Sequence, residues 1–193
     1  MEKNEVVTLV DRGFIYVNGS DAKEFLQSIV TNDIEKASSD STIFSSIFTP
    51  QGKYLFDFFI LKLENKYILE CEKKVVLDII KLLNFYKLRS KVNIINSSEK
   101  YNALVISLEK FKEINNSTAD RGRTINYHKR DIYVDPRNER LGAKIVLETQ
   151  EVSKMIKKLS LKIINDKIYY SKSFRIGIPQ INLNKLKDKV FGI

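Results

Sequence analysis

The chain has 193 residues, 43% of them hydrophobic and 10% aromatic, enough to bury one large core or two small ones. The single cysteine, Cys71, excludes an intrachain disulfide, and with only one histidine, His128, the usual zinc ligands are missing, so no metal site is expected. The net charge of +9 is spread over lysines that alternate with acids, as in Glu70-Cys-Glu-Lys-Lys74, which indicates a solvated surface rather than a nucleic-acid site.

The sequence carries no signal for a membrane. No apolar run reaches the roughly 18 residues that a membrane span needs. The first residues, Met1-Glu-Lys-Asn-Glu5, are charged and lead straight into an alternating strand pattern, which is not typical of a signal peptide. We therefore expect a cytoplasmic protein without a membrane partner.

The first part of the chain predicts two strands, a helix, three strands and a second helix. The first helix begins at Ser20 or Asp21, and Asp21 with Glu24 has the spacing of a capping box. Apolar alternation and helical spacing place the strands near 6–10, 14–17, 42–48, 52–61 and 67–71 and the second helix over 75–83.

From about Val92 the same order of elements recurs. Strands are predicted near 92–95, 101–106, 124–127, 131–134 and 144–147, with helices around 108–114 and 151–159. Runs of antiparallel strands between helices predict an α+β fold rather than a doubly wound sheet. None of the seven glycines has GxGxxG or GxxxxGK spacing, which disfavours ATP or NAD binding by those loops.

Asp57 lies in the middle of the most apolar stretch of the chain, residues 52–61. Because side chains alternate along a strand, Asp57 shares a face with Leu55 and Phe59, while Tyr54 faces the other way. Neither face is polar, so the strand is expected to be covered on both sides. A carboxylate there is either satisfied by neighbouring backbone amides or part of a functional site, and both interpretations stay open.

Six segments in register resemble the YgfZ family of folate-binding proteins, relatives of the glycine-cleavage T-protein, an aminomethyltransferase. They are Val17-Asn-Gly-Ser-Asp-Ala22 with Phe25-Leu-Gln27, Val30-Thr-Asn-Asp-Ile34, Thr49-Pro-Gln-Gly-Lys-Tyr-Leu-Phe-Asp57, Tyr86-Lys-Leu-Arg-Ser-Lys-Val92, Asp135-Pro-Arg137 with Leu141-Gly142, and Gly177-Ile-Pro179. The resemblance implies a duplicated β2-α-β3-α folate-binding domain of the aminomethyltransferase type, with mainly antiparallel sheets.

The implied domain has two quasi-repeated halves, about 1–91 and 92–160, and a connecting segment, 161–193. The family's Lys-Gly-Cys-Tyr-x-Gly-Gln-Glu segment does not occur in this sequence. Cys71 is no substitute, because it lies at the end of a predicted strand. We therefore interpret the chain as a fragment without the family's C-terminal domain, in which any activity that depends on that cysteine is in doubt.

The resemblance also implies a site for tetrahydrofolate or a one-carbon derivative of it. By position, Asp57 matches the acidic residue beside the reactive nitrogens of the folate, which makes it the candidate catalytic and ligand-orienting group. Arg89 and Lys91 are candidates for the glutamate tail of the folate, with a solvated strand edge as the alternative.

Four more residues are candidate ligand contacts, each with a structural alternative. Asn32, beside Asp33, caps a helix end or lines the groove, and Arg137 is a turn residue before it is a ligand contact. Arg175 matches an arginine before the Gly-Ile-Pro motif only if a gap is allowed. Tyr86, like Tyr54 and Tyr101, stacks on a pterin or belongs to the core.

Three functions follow from these residues. The first is a tetrahydrofolate-binding protein of the YgfZ type, whose family is implicated in maturing or repairing iron–sulfur enzymes, with such enzymes as possible client partners. The alternative is a folate-dependent aminomethyltransferase, but Asp135-Pro-Arg-Asn-Glu-Arg-Leu-Gly142 is closer to the YgfZ form. The third, a basic RNA-binding domain, lacks an interleaved Arg/aromatic motif, so nucleic acid is not an expected partner.

Overall fold

The computed structural model describes residues 1–64, 66–116 and 118–178. Pro179 of the Gly177-Ile-Pro179 motif, and the rest of the connecting segment to Ile193, lie outside the described residues.

The described elements follow the predicted order closely. The strands are β1 (Glu5–Leu9), β2 (Arg12–Asn18), β3 (Ile43–Phe48), β4 (Tyr54–Leu63), β5 (Lys66–Glu72), β6 (Asn93–Asn96), β7 (Tyr101–Ile106), β8 (Thr124–Tyr127), β9 (Arg130–Val134), β10 (Ala143–Glu148) and β11 (Lys162–Ile163). The α-helices are α1 (Ala22–Gln27), α2 (Val76–Lys87), α3 (Leu108–Asn115), α4 (Val152–Lys158) and α5 (Lys167–Arg175).

The strands form two sheets with equivalent orders. One has the order β3-β4-β5-β2-β6, and the other has the order β8-β9-β10-β7-β1 with β11 added at its edge. The first strand of each predicted half pairs in the sheet of the other half, because β1 lies beside β7 and β6 lies beside β2. All pairings are antiparallel except that of β1 with β11. The predicted α+β class with mainly antiparallel sheets is confirmed.

Three apolar clusters show how the layers stack. One cluster joins α1 and α2 to the outer face of the five-stranded sheet, and a second joins α3 and α4 to the outer face of the six-stranded sheet. The third lies between the two sheets and includes Phe14, Phe59 and Tyr133. The order of layers is therefore helix, sheet, sheet, helix, and β4 is covered on both faces as its sequence predicts.

The helix α5 and the short strand β11 were not predicted. The α5 segment, Lys-Ile-Tyr-Tyr-Ser-Lys-Ser-Phe-Arg, shows only weak apolar periodicity. It is fixed instead by Tyr169, which is buried in the cluster between the sheets, and by Tyr170, whose hydroxyl donates to Asp11 at 2.6 Å. Among the described residues, no helix combines the length and the apolar character that crossing a bilayer requires.

The capping box predicted at the start of α1 is wrong. The Asp21 side chain makes no capping bond to that helix. Its carboxylate accepts instead from the backbone N–H of Lys91 at 2.7 Å and from the Ser20 hydroxyl. Asp21 thus ties the chain after α2 to the start of α1, a long-range contact that local spacing does not reveal.

A bulge in β4 corrects the predicted facing of Tyr54. The pairing of β3 with β4 shifts register between Ile47 and Phe48, so that Phe48 lies opposite Tyr54. Leu55 consequently packs into the helix-side cluster, and the Tyr54 hydroxyl is close enough to Asp57 to affect its pKa. Tyr54 therefore shares the face of Asp57, and Leu55 does not.

A buried carboxylate, Glu70 of β5, joins the two sheets. Its Oε1 accepts from the Arg12 Nε at 2.9 Å and from the Lys144 Nζ at 2.7 Å, and its Oε2 accepts from the Tyr133 hydroxyl. Arg12 belongs to the same sheet, whereas Lys144 and Tyr133 belong to the opposite one. The expectation that the acids near Glu70 lie on a solvated surface is wrong for Glu70, which is fully buried.

Hydrogen bonds and charges keep Glu70 ionised. Burial by itself raises the pKa of a carboxyl group, but the charges of Lys144 and Arg12 and the hydrogen bonds from Lys144 and Tyr133 outweigh it. The pKa of Glu70 is consequently lowered to about 2.

We predict that Glu70→Gln lowers the free energy of unfolding by about 3–5 kcal/mol, because the amide keeps the shape but leaves two buried cations without a counter-charge. Urea denaturation of the variant and the wild type measures the difference. Glu99→Gln is the control: it removes an exposed pair with Lys73 and should leave the midpoint nearly unchanged. Equal midpoints for Glu70→Gln and the wild type would contradict this role.

The stability that Glu70 provides should be lost in acid. The unfolded carboxylate takes up a proton near pH 4.5, but the folded one resists protonation down to about pH 2. The contribution is therefore complete above about pH 4.5 and disappears as the pH falls towards 2. Melting temperatures measured across this window should converge for the wild type and Glu70→Gln. A difference that stays constant with pH would contradict the prediction.

Candidate functional site

A groove opens where the loop before β3 meets the loop after β9. It encloses a cavity of about 550 Å³. We call it the Arg137 groove; its lining includes Asn32, Lys36, Phe44, Arg121 and Arg137. Two of the predicted ligand contacts, Asn32 and Arg137, thus line one cavity. Asn32 lies in the loop before β3 of the five-stranded sheet, and Arg137 lies in the loop after β9 of the six-stranded sheet.

Arg137 is fixed by its neighbours on several sides. Asp135 accepts from its Nε at 3.0 Å, from its Nη2 at 2.8 Å and from its backbone N–H at 2.9 Å. The guanidinium lies 5.4 Å from the ring centre of Phe44 and 4.7 Å from that of Phe59. Such a held, stacked arginine is pre-organised to bind a flat anionic ligand. Arg137 is thus a turn residue whose side chain also lines the groove, and its role as a ligand contact stays a prediction.

Asn32 supports one wall of the same groove. Its side-chain amide donates to the Phe44 carbonyl at 3.0 Å, and its Oδ1 accepts from the Asp33 N–H at 2.8 Å. Asp33, in turn, caps the short 3₁₀ helix Ile34–Lys36 by accepting from the Glu35 N–H. Asn32 therefore lines the groove while Asp33 does the capping.

Asp57 lies on the inner face of the five-stranded sheet. It pairs with Ser46, and two residues further along β4 Phe59 pairs with Phe44. Burial is the main cause that raises the pKa of Asp57, opposed by Tyr54 and by the charges of Arg12 and Arg137. A carboxyl group with a raised pKa is a proton donor or acceptor as well as a hydrogen-bonding group, which suits acid–base work on a ligand.

The remaining predicted contacts lie elsewhere. Tyr86 packs against the helix-side cluster, on the other face of the sheet from Asp57. Arg89 borders a separate surface cavity with Leu88, and Lys91 is exposed beside Asp21. Arg175 is exposed at the end of α5. The structure therefore brings Asn32 and Arg137 to the Arg137 groove, with Asp57 near enough to be affected by the charge of Arg137, but does not bring these four residues there.

Sequence reasoning missed several groups around the site. Lys144 lies 3.8 Å from the centre of the Phe59 ring, and the Tyr169 hydroxyl accepts from Arg137 at 3.3 Å. Asp135 was noted only as part of a turn, yet it is buried and holds Arg137. The sequence does contain a signal for Glu70, because it is a carboxylate within an apolar predicted strand, as Asp57 is.

Solved structures define the class of fold. The glycine cleavage system aminomethyltransferase T from Bartonella henselae superposes with a TM-score of 0.73 at 13% identity, covering 90% of this chain and 51% of that one. A heterotetrameric sarcosine oxidase from Corynebacterium sp. U-96 superposes with a TM-score of 0.57 at 10% identity, covering 82% and 84%. The chain has the aminomethyltransferase-type fold, and the predicted fold class is confirmed.

Proteins of similar sequence indicate the family to which the chain is related. The iron-sulfur cluster assembly factor IBA57 homolog, mitochondrial, of Dictyostelium discoideum is 24% identical over 207 residues, covering 92% of this chain and 50% of the relative. That of Neurospora crassa is 25% identical over 179 residues, covering 89% and 40%. No family model matches the sequence. The resemblance to the YgfZ family is confirmed, and the chain spans half or less of the length of these relatives.

The predicted cytoplasmic location is wrong. The relatives that the chain matches are named mitochondrial. The prediction rested on the first few residues and on the lack of an apolar span, and neither feature distinguishes between compartments inside a cell.

Two aspartates of the site should respond oppositely to the same change. Asp57→Asn removes a carboxylate whose ionisation burial opposes, so the variant should melt at or above the wild-type temperature at neutral pH. The difference should shrink in acid, where the wild-type Asp57 is protonated.

Asp135→Asn, in contrast, should lower the free energy of unfolding by about 3 kcal/mol because Arg137 loses its buried partner. Thermal melts across pH measure both, and a destabilised Asp57→Asn would contradict the assignment.

Proposed function

We propose that the chain binds tetrahydrofolate, or a one-carbon derivative of it, in the Arg137 groove and acts in the maturation or repair of iron–sulfur enzymes. The observation that carries the folate part is that Asn32 and Arg137, from distant parts of the sequence, line one groove, and that Asp57 lies near enough for the charge of Arg137 to oppose the rise in its pKa. The likeness to proteins named iron-sulfur cluster assembly factors supports the second part.

The chemistry of the groove suits a folate. A pterin is a flat ring with several N–H groups, and Phe44 offers it an aromatic surface beside the Arg137 guanidinium. A carboxylate in an apolar setting orients such a ring through its N–H groups and stabilises positive charge on nitrogen. Of the basic residues at the rim, Arg121 already bonds Glu139, so Lys36 is the one we assign to the glutamate tail.

The second candidate is an aminomethyltransferase activity, which the fold favours. The raised pKa of Asp57 suits proton transfer during one-carbon transfer. Because the chain spans only 51% of that structural neighbour, we assign ligand binding first and catalysis second. An absorbance assay for transfer of a one-carbon unit from an aminomethyl donor to tetrahydrofolate distinguishes the two functions. Turnover indicates the transferase, and ligand binding without turnover indicates the binding protein.

Calorimetric titration with 5-formyl-tetrahydrofolate tests the proposal. We expect saturable binding to the wild type, weakened about tenfold or more by Asp57→Asn and by Lys36→Gln, since each loses one charged contact. Arg89→Gln and Lys91→Gln are matched controls, because they remove charge away from the groove and should bind like the wild type.

Two results would contradict this assignment. Absence of binding at millimolar ligand by a folded sample would refute the folate function. Loss of binding in the Arg89 or Lys91 variant, with Asp57→Asn unaffected, would refute the Arg137 groove as its place.

A further inference from the structure

A second cavity, larger than the Arg137 groove, lies at another opening between the sheets. It measures about 880 Å³ and is bordered by the end of the β4–β5 hairpin on one side and of the β8–β9 hairpin on the other. We call it the hairpin cavity; its lining includes Asn18, Lys62, Lys66, Tyr101, Asn126 and Lys129. Tyr101, which the sequence analysis offered as a pterin-stacking or core residue, lines it, whereas Asp57, Asn32 and Arg137 do not.

A wall of hydrogen bonds separates the two cavities. The Thr42 N–H donates to the Gly122 carbonyl and the Thr124 N–H donates to the Asp40 carbonyl, both at 2.8 Å. The buried hydroxyls of Thr42 and Thr124 are also 2.8 Å apart. Ser39 borders the hairpin cavity, whereas Thr42 borders the Arg137 groove. The wall makes the hairpin cavity a separate site rather than an extension of the groove.

Three lysines at the hairpin cavity have no counter-charge in the described part of the chain, although the Lys66 Nζ lies 4.4 Å from the centre of the Tyr16 ring. Among the described residues, no carboxylate lies within ion-pair distance of Lys62, Lys66 or Lys129. Arg130, by contrast, is paired with Glu151. Burial raises the pKa of the nearby Asp131, and Asn126 donates to its carboxylate at 3.1 Å. Two carboxylates, Glu64 and Asp131, also line the opening, but the basic residues there (Lys62, Lys66, Lys129 and Arg130) outnumber them, so the opening favours negative charge.

The interior of the cavity favours a flat, hydrogen-bonding ring. Ile68 and Val146 form apolar lining, and the Tyr101 ring adds an aromatic surface. The Asn18 side-chain oxygen is buried, and no hydrogen-bond donor in the described part of the chain reaches it. A buried acceptor without a donor is unfavourable, and a ligand N–H would satisfy it.

We propose that the hairpin cavity is a second ligand site, for a flat heterocycle with N–H donors joined to an anionic group. The heterocycle would donate to Asn18 beside Tyr101, and the anionic group would bind Lys62, Lys66 and Lys129. Nucleoside monophosphates carry this chemistry, and so do folates, so the two sources must be distinguished by experiment.

Titration of the isotopically labelled chain, followed through backbone amide resonances, tests the site with GMP, guanosine, inorganic phosphate and 5-formyl-tetrahydrofolate. We expect GMP to cause saturable shifts at Asn18, Ile68 and Val146, at lower concentration than guanosine or phosphate alone. The same shifts with 5-formyl-tetrahydrofolate and not with GMP would also support the site and identify the ring as a pterin.

Variants separate this site from the Arg137 groove. Asn18→Leu and Lys129→Glu should each weaken binding in the hairpin cavity about tenfold and leave 5-formyl-tetrahydrofolate binding in the Arg137 groove unchanged. Lys81→Glu, the same charge reversal on α2, is the matched control for Lys129→Glu and should have no effect. Lys129 lies in an exposed turn, so its variant tests the site even if Asn18→Leu fails to fold.

Two outcomes would overturn the proposal. One is the absence of saturable shifts in the cavity with both GMP and 5-formyl-tetrahydrofolate at millimolar concentration. The other is an equal response to inorganic phosphate and to GMP that Asn18→Leu does not alter, because this would indicate a basic surface without a ring site. Neither outcome affects folate binding at the Arg137 groove.

Discussion

The stacking of the two sheets depends on one buried carboxylate. Glu70 is surrounded by two cations and a phenol, and two of these three partners come from the opposite sheet. Desolvating charges costs several kcal/mol per ion, and only close, hydrogen-bonded pairing offsets that cost. A stacking that moved Glu70 away from the other sheet would leave Lys144 buried without its counter-charge and the Tyr133 hydroxyl without its acceptor, whereas Arg12, in the same sheet, would stay paired. The apolar contacts between the sheets are non-directional, so the ion cluster is what specifies their alignment.

The candidate site is built on the same cluster. The Phe59 ring has Lys144 at 3.8 Å and Arg137 at 4.7 Å from its centre, and it lies two residues from Asp57 on the same strand face. The cation that helps to fix the sheets and the cation that lines the groove therefore share one aromatic ring. The position of Arg137 is set by the protein's own groups, since Asp135 holds the guanidinium and the rings of Phe44 and Phe59 pack against it.

The sequence predicts the strands well because their information is local. Apolar alternation marks β4 and β10 directly, and the equivalence of the two sheet orders follows from a recurring order of elements. Contacts that depend on tertiary position are not visible in that pattern. Asp21 has the spacing of a cap but bonds Lys91, and the β4 bulge reverses the facing of Tyr54. Asp57, Asn32 and Arg137 were found through motifs, whereas no motif assigns Asp135 the role of holding Arg137 or places Lys144 against the Phe59 ring.

The positions of the charged side chains in the fold change the interpretation of the net charge of +9. In the sequence, lysines and acids alternate, which suggests mutual neutralisation across a solvated surface. In the fold, many acids are engaged, as Glu139 is with Arg121 and Glu151 with Arg130. The described residues provide no such ion-pair partner for the lysines at the hairpin cavity, so part of the excess charge is concentrated at an opening between the sheets. A focused positive potential raises the local concentration of anions, and an apolar interior behind it selects those that carry a ring.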